Sequence, residues 1–318
     1  MRKTTFLAAA IAVISATTAL AADMPVKVTK APPIPVSPWD FAFGAAIMND
    51  YNFRGITQSN HKPSIFEYQE LRYNWNSSLQ SYLGLSGESI SFPNHAAAEI
   101  DFYGGIRPTF GPAAFDFGVW YYYYPGGECQ NPVGLGAAGF PHCQQALANL
   151  NTALRDVSFI EYYGKVLWTV NDSLAIGANE FYDPNWLSSG SWGNFAEATI
   201  KYTLPSTVPL PSGVGSYLSG EVGHYWFGGT VNPFLQIAGL PTKYPDYTTW
   251  NAGLGFTYKV FTLDLRYYDT DLSKKNCNYL TGDQTAGFNN KTGFNESTWC
   301  GAAFVAKFSM DLTLANLK

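Results

Sequence analysis

With only 14% charged and 16% aromatic side chains, this 318-residue chain falls well short of the roughly one-quarter charged composition of ordinary soluble domains. A net charge of -5, with Lys and Arg few and scattered, excludes a phosphate-binding stripe, so no nucleic-acid partner is expected. Mean hydropathy is still slightly negative, at -0.09, the balance expected when alternate residues of a strand meet lipid and water.

Arg2 and Lys3 precede an apolar stretch from Phe6 to Leu20, and Ala19-Leu20-Ala21 supplies a small-x-small cleavage pattern. Residues 1–21 therefore read as a signal peptide, too short and too rich in Ala and Thr for a spanning helix. Residues 22–38 are rich in Pro and Lys and cannot pack a core, which predicts an extended periplasmic leader. Residues 39–318 then repeat one unit: about ten residues of period-two alternation, bounded by turn residues. Twelve such segments lie near Trp39–Arg54, Ile65–Trp75, Leu79–Ser89, Ala97–Arg107, Ala114–Tyr124, Val157–Thr169, Leu174–Tyr182, Asn194–Thr203, Ser216–Phe227, Thr248–Lys259, Thr262–Thr270 and Thr298–Met310. The expected fold is all-β, a transmembrane antiparallel up-and-down β-barrel of about 12 strands.

The connections support that architecture, because such barrels alternate short periplasmic turns with longer external loops. The first, fifth, seventh, ninth and eleventh connections are long, and the third is shorter but outlasts a tight turn. Most of the others are brief, as in NSS after Trp75 and VF after Lys259. Four cysteines behind an export signal permit disulfides. Local pairing, Cys129 with Cys143 and Cys277 with Cys300, is the simplest of the three connectivities, and it places both bridges in the longest external loops. No Cys pair has C-x-x-C spacing and the four His are dispersed, so no metal site is expected.

Alternation assigns the interior face. In the first segment, Tyr51 and Phe53 are expected at the outer interface, while Asp50, Asn52 and Arg54 point inward near the mouth before Gly55 bends the chain. The same rule turns Glu99, Asp101, Arg107, Glu161, Lys165, Glu197, Lys201, Glu221, Asp264 and Arg266 toward the lumen. These charges either line a pore or pair with one another and brace the interior. Within the run Tyr121–Tyr124, Tyr121 and Tyr123 are expected outside, with Tyr122 and Tyr124 inside. Asp269-x-Asp271 offers too few oxygens for a calcium loop and reads as a polar strand end.

Several stretches resemble a known family. NDYNFRGITQSNHKPSI resembles the opening motif of the TorF family of porin-like proteins, also called the Gcw_chp bacterial family. EIDFYGG, DFGVWYYYYPG and YYDTDL resemble later segments of that family, in the same order along nearly the whole mature chain. The chain departs from the pattern in its long cysteine-bearing loops and in a final strand that runs past Phe308 into MDLTLANLK. The resemblance implies a single-chain outer-membrane barrel that passes small solutes.

No G-x-S-x-G, H-E-x-x-H, Walker or Rossmann pattern is present, so neither enzymatic activity nor a cofactor is expected. The function that follows is an outer-membrane channel for passive diffusion of small hydrophilic solutes or ions, its partner the lipid bilayer. The alternative is a closed barrel that anchors disulfide-stapled external loops for surface binding.

Overall fold

The computed structural model describes residues 38–128, 145–146, 152–153, 155–229 and 243–314. The signal and leader segments, Cys129 and Cys143 all lie outside the described residues. Twelve strands form the barrel: β1 (Trp39–Met48), β2 (Ser64–Asn76), β3 (Leu79–Glu88), β4 (Glu99–Phe110), β5 (Ala113–Tyr123), β6 (Phe159–Thr169), β7 (Leu174–Trp186), β8 (Ser191–Thr203), β9 (Val214–Phe227), β10 (Tyr247–Tyr258), β11 (Phe261–Thr270) and β12 (Ala303–Thr313). Each pairs antiparallel with its chain neighbours, and β1 closes on β12 with Ile47 opposite Phe308. The result is the all-β, closed, up-and-down barrel that the alternation predicts. Among the described residues no helix is long and apolar enough to cross a membrane.

Strict alternation gives each strand two faces. The outer face is apolar and exposed: Leu83, on β3, is 69% accessible, and Leu71, Ile106, Ile176, Ile200 and Leu218 stand out the same way. In water so much apolar surface would drive association, whereas in a bilayer it is the contact surface. Aromatic rings mark both edges of this band. Trp39, Trp75, Phe110 and Trp168 lie at the end with the short turns, and Tyr121, Tyr123, Tyr162, Tyr182, Trp226 and Trp250 lie at the end with the long loops. The barrel therefore spans a membrane with its strands.

Three boundaries differ from expectation, among them the last strand, which opens at Ala303 rather than near Thr298. The connection after β7 is a short turn rather than a long loop, because both flanking strands extend and leave only residues 187–190 between them. More consequentially, β1 ends at Met48, six residues before Arg54, and the chain then turns into the barrel. The last long loop carries a helix, α1 (Lys274–Thr281), capped by Ser273 and joined by the disulfide Cys277–Cys300.

Candidate functional site in the barrel lumen

The inward turn is a miniature hairpin. Asn52–Phe53 pairs with Ile56–Thr57, and Arg54 and Gly55 occupy its tip at φ +50° and +83°. Two consecutive left-handed residues make the turn that suits tight hairpins, and glycine is the residue that adopts this conformation at no steric cost. A Cβ on Gly55 would also collide with Thr249 and Thr270, so the tip sits flush against the wall formed by β10 and β11.

Asp50 organises the base of this hairpin. Its Oδ1 accepts bonds from Thr57 Oγ1 and, at 3.0 Å, Ser59 Oγ, while Oδ2 meets His61 Nδ1 at 2.8 Å. Asn52 Oδ1 accepts from the Gly55 amide at 3.0 Å. Tyr51 and Phe53 are inside the barrel, not at the outer interface: Tyr51 Oη donates to Glu99 at 2.7 Å, and Phe53 packs edge-on against Tyr122. The turn at Asn49–Asp50 breaks the strand register, so alternation counted from β1 no longer assigns faces here. The loop also docks on the far end of the chain. The Thr57 amide donates to the Trp299 carbonyl at 3.0 Å, and Trp299 Nε1 donates to Asn60 Oδ1 at 3.0 Å.

Arg54 reaches into the lumen and binds Glu161 through both nitrogens, at 2.6 and 3.0 Å. Its guanidinium lies 4.4–5.1 Å from the ring centroids of Phe53, Phe181, Phe195 and Tyr225. A bidentate carboxylate pair and several ring faces, all shielded from water, hold it firmly, each desolvated ring contact contributing up to about 2 kcal/mol. Arg54 is thus a plug held by the wall, rather than a charge standing free in water at the mouth. Between the hairpin and the loop cap lies a cavity of about 120 Å³, bounded by Phe53, Trp186, Tyr244, Tyr279 and Trp299.

The remaining inward charges fall into two groups. On β2–β5 the charges around Glu70 are buried and paired. Arg107 grips Glu70 at 2.7 and 2.9 Å and reaches Asp116 at 3.2 Å, while Arg72 contacts Glu70 at 2.5 Å. Arg107 also lies 3.6 Å above the Tyr82 ring, and Tyr103 stacks on Trp120 at 4.1 Å. On β7–β10 the inward aromatic side chains Phe181, Phe195, Tyr217, Tyr225 and Tyr247 are buried, whereas the inward polar residues Asn179, Glu197, Thr199, Lys201, Ser219, Glu221 and Asn251 are only half-buried. Asn179 donates to Glu197 and Asn251 to Glu221, each at 2.7 Å, and Lys201 sits 4.4 Å over Tyr217. Side chains that face inward yet remain partly accessible mark a hydrated lane along that wall. Arg266 closes one flank of the lane, held by Asp264 and Asn251.

Among the residues singled out by sequence, the structure joins Arg54 to Glu161 and Asp264 to Arg266. Glu99 and Asp101 stand beside Glu88 on adjacent strands. Lys165, directly across from Asp116 on β5, lies 4.6 Å from the Tyr163 ring. Sequence reasoning missed Glu70, Arg72, Glu88 and Asp116. Asp116 carried a usable signal, since it shares a face with the inward Trp120 and Tyr122. Of the two expected disulfides, Cys277–Cys300 is present.

A family model described as "Bacterial protein of unknown function (Gcw_chp)" matches residues 33–156. No curated protein matches the chain. Among solved structures the barrel is similar to an outer membrane channel from Pseudomonas putida F1, at 10% identity and TM-score 0.46, covering 91% of this chain and 100% of that one. It is also similar to the NanC porin, at 10% identity and TM-score 0.43, covering 86% of this chain and 100% of the other. The match to the Gcw_chp family model includes the whole inward hairpin and its Arg54-Gly55 tip.

Proposed function

We propose that the protein is an outer-membrane, porin-like channel that passes small hydrophilic solutes or ions along the hydrated lane, with the hairpin 52–57 as its constriction. The observation that carries this reading is the row of half-exposed polar side chains facing inward on β7–β10. A wall sealed from water would be a costly place for Glu197 and Glu221, whose carboxylates rest on neutral amides. By the same logic as charged rings in other pores, these side chains set selectivity.

Planar-bilayer recording of the purified, folded chain tests the proposal. Small discrete steps are expected from the native protein and clearly larger ones after replacement of residues 52–57 by a short Gly-Ser turn. Silence from both, with correct folding shown by heat-modifiable gel mobility, sinks the channel. The packed, ion-paired half favours one second reading, a closed barrel that works through its stapled loops. Silence together with normal membrane insertion supports it. Cell fractionation checks the expected outer-membrane location.

A further inference from the structure

Three carboxylates near the mouth are arranged differently from every other buried acid described above. Glu88 ends β3 and lies directly across from Glu99, which opens β4, while Asp101 lies two residues further on, opposite Ser86. One oxygen from each falls within 4.8 Å of the others, and all three residues are no more than 3% accessible. Glu70, Glu161 and Asp264 each have an Arg against them. Among the described residues the trio has none; Lys307 on β12 attracts Glu88.

Their hydrogen bonding is also incomplete. Glu99 accepts from the Tyr51 and Tyr124 hydroxyls, at 2.7 and 2.8 Å, and one Asp101 oxygen accepts from Ser86 Oγ at 3.0 Å. Among the described residues Glu88 Oε2, fully enclosed, accepts no hydrogen bond, and the enclosed Asp101 Oδ1 makes no well-formed one, with the Trp120 indole N–H as the neutral donor beside Asp101. A buried carboxylate oxygen with neither proton donor nor cation is strongly disfavoured. Two under-satisfied oxygens in one group of three buried acids point to a missing positive ligand. We propose that Glu88, Glu99 and Asp101 bind a hard divalent cation, Ca²⁺ in preference to Mg²⁺. Calcium takes oxygen ligands at roughly 2.3–2.6 Å in flexible geometry, so oxygens up to about twice that distance apart can share one ion. Magnesium requires a tighter and more regular shell. Because Tyr51 belongs to the inward loop, the ion ties that loop to β3 and β4, whether or not the lumen conducts.

The test uses the full folded chain in detergent and Tb³⁺ as probe, its luminescence sensitised by nearby Tyr and Trp rings. Saturable luminescence is expected, displaced by Ca²⁺ at lower concentration than by Mg²⁺. Glu88→Gln and Asp101→Asn should each weaken Ca²⁺ competition at least tenfold. Glu88→Gln should also melt higher than the native protein in chelator but lower than the native protein saturated with Ca²⁺. Unchanged Ca²⁺ competition in both folded variants overturns the proposal. If the variants do not fold, calorimetry of the native barrel decides: saturable one-site Ca²⁺ binding supports the site, and no binding overturns it.

Discussion

The two halves of the barrel interior solve the problem of inward polarity in opposite ways. On β2–β5, Glu70 and Arg72 are 1% and 2% accessible, and every charge in that cluster is tied to a partner or laid on a ring. On β7–β10, Glu197, Lys201 and Glu221 keep contact with water, and the two carboxylates accept from neutral amides. The first half is a solid brace, whose charges only make sense as a set. The second half is loosely furnished, so its charges are individually replaceable. One wall serves as scaffold, and the other keeps contact with water.

That division has measurable edges. The largest effect is expected at Glu70. Glu70→Ala leaves Arg72 and Arg107 buried without their shared carboxylate, a loss of about 3–5 kcal/mol, read by denaturant titration in detergent. A loss under about 1 kcal/mol would show that water already reaches this half. Gly55→Ala comes next, because the left-handed tip must also clear Thr249 and Thr270. It should cost about 1–3 kcal/mol and displace the hairpin, visible as larger conductance steps. Glu221→Gln, in the loose half, should change stability by no more than about 0.5 kcal/mol while lowering cation preference in a salt gradient. A stability loss as large as that of the Glu70 variant would erase the contrast.

The smallest effect is a pH dependence at His61. The hydrogen bond to Asp50 raises the imidazole above its ordinary value, against partial burial. With the folded value raised, this contribution is complete below about pH 6.5 and disappears as pH climbs through the higher folded value. The side chain is 39% exposed, so solvent screening limits the effect to a few tenths of a kcal/mol. His61→Gln should flatten that part of a pH-stability curve; an unchanged curve would assign the titration to another group.

Most of the barrel was legible because a strand between lipid and lumen announces itself by alternation. In EIDFYGGIR the aliphatic and aromatic residues Ile100, Phe102 and Ile106 stand apart from Glu99, Asp101 and Arg107, and both faces follow. In β2 the signal fails, since SIFEYQELRYNWN puts Glu67 and Gln69 on the outer face and Glu70 and Arg72 on the inner one. With polar residues on both sides, alternation alone could not choose which set to bury, so the core of the brace stayed hidden. The hairpin was hidden for a different reason. Its two-residue strands continue the same polar-aromatic rhythm as β1, but a turn at Asn49–Asp50 reverses what that rhythm means. The acidic trio comes from the ends of two strands separated by a ten-residue loop and matches no linear spacing.

The contacts of the hairpin also bear on assembly. Thr57 and Asn60, near the beginning of the chain, are held by Trp299, near its end, and His61 meets the Thr298 carbonyl at 3.2 Å. Those partners come together only once β1 has found β12. The last seam of the cylinder must therefore zip before the hairpin can lock. Occlusion in this molecule is a late event, and the seated hairpin is a built-in sign that the cylinder has closed.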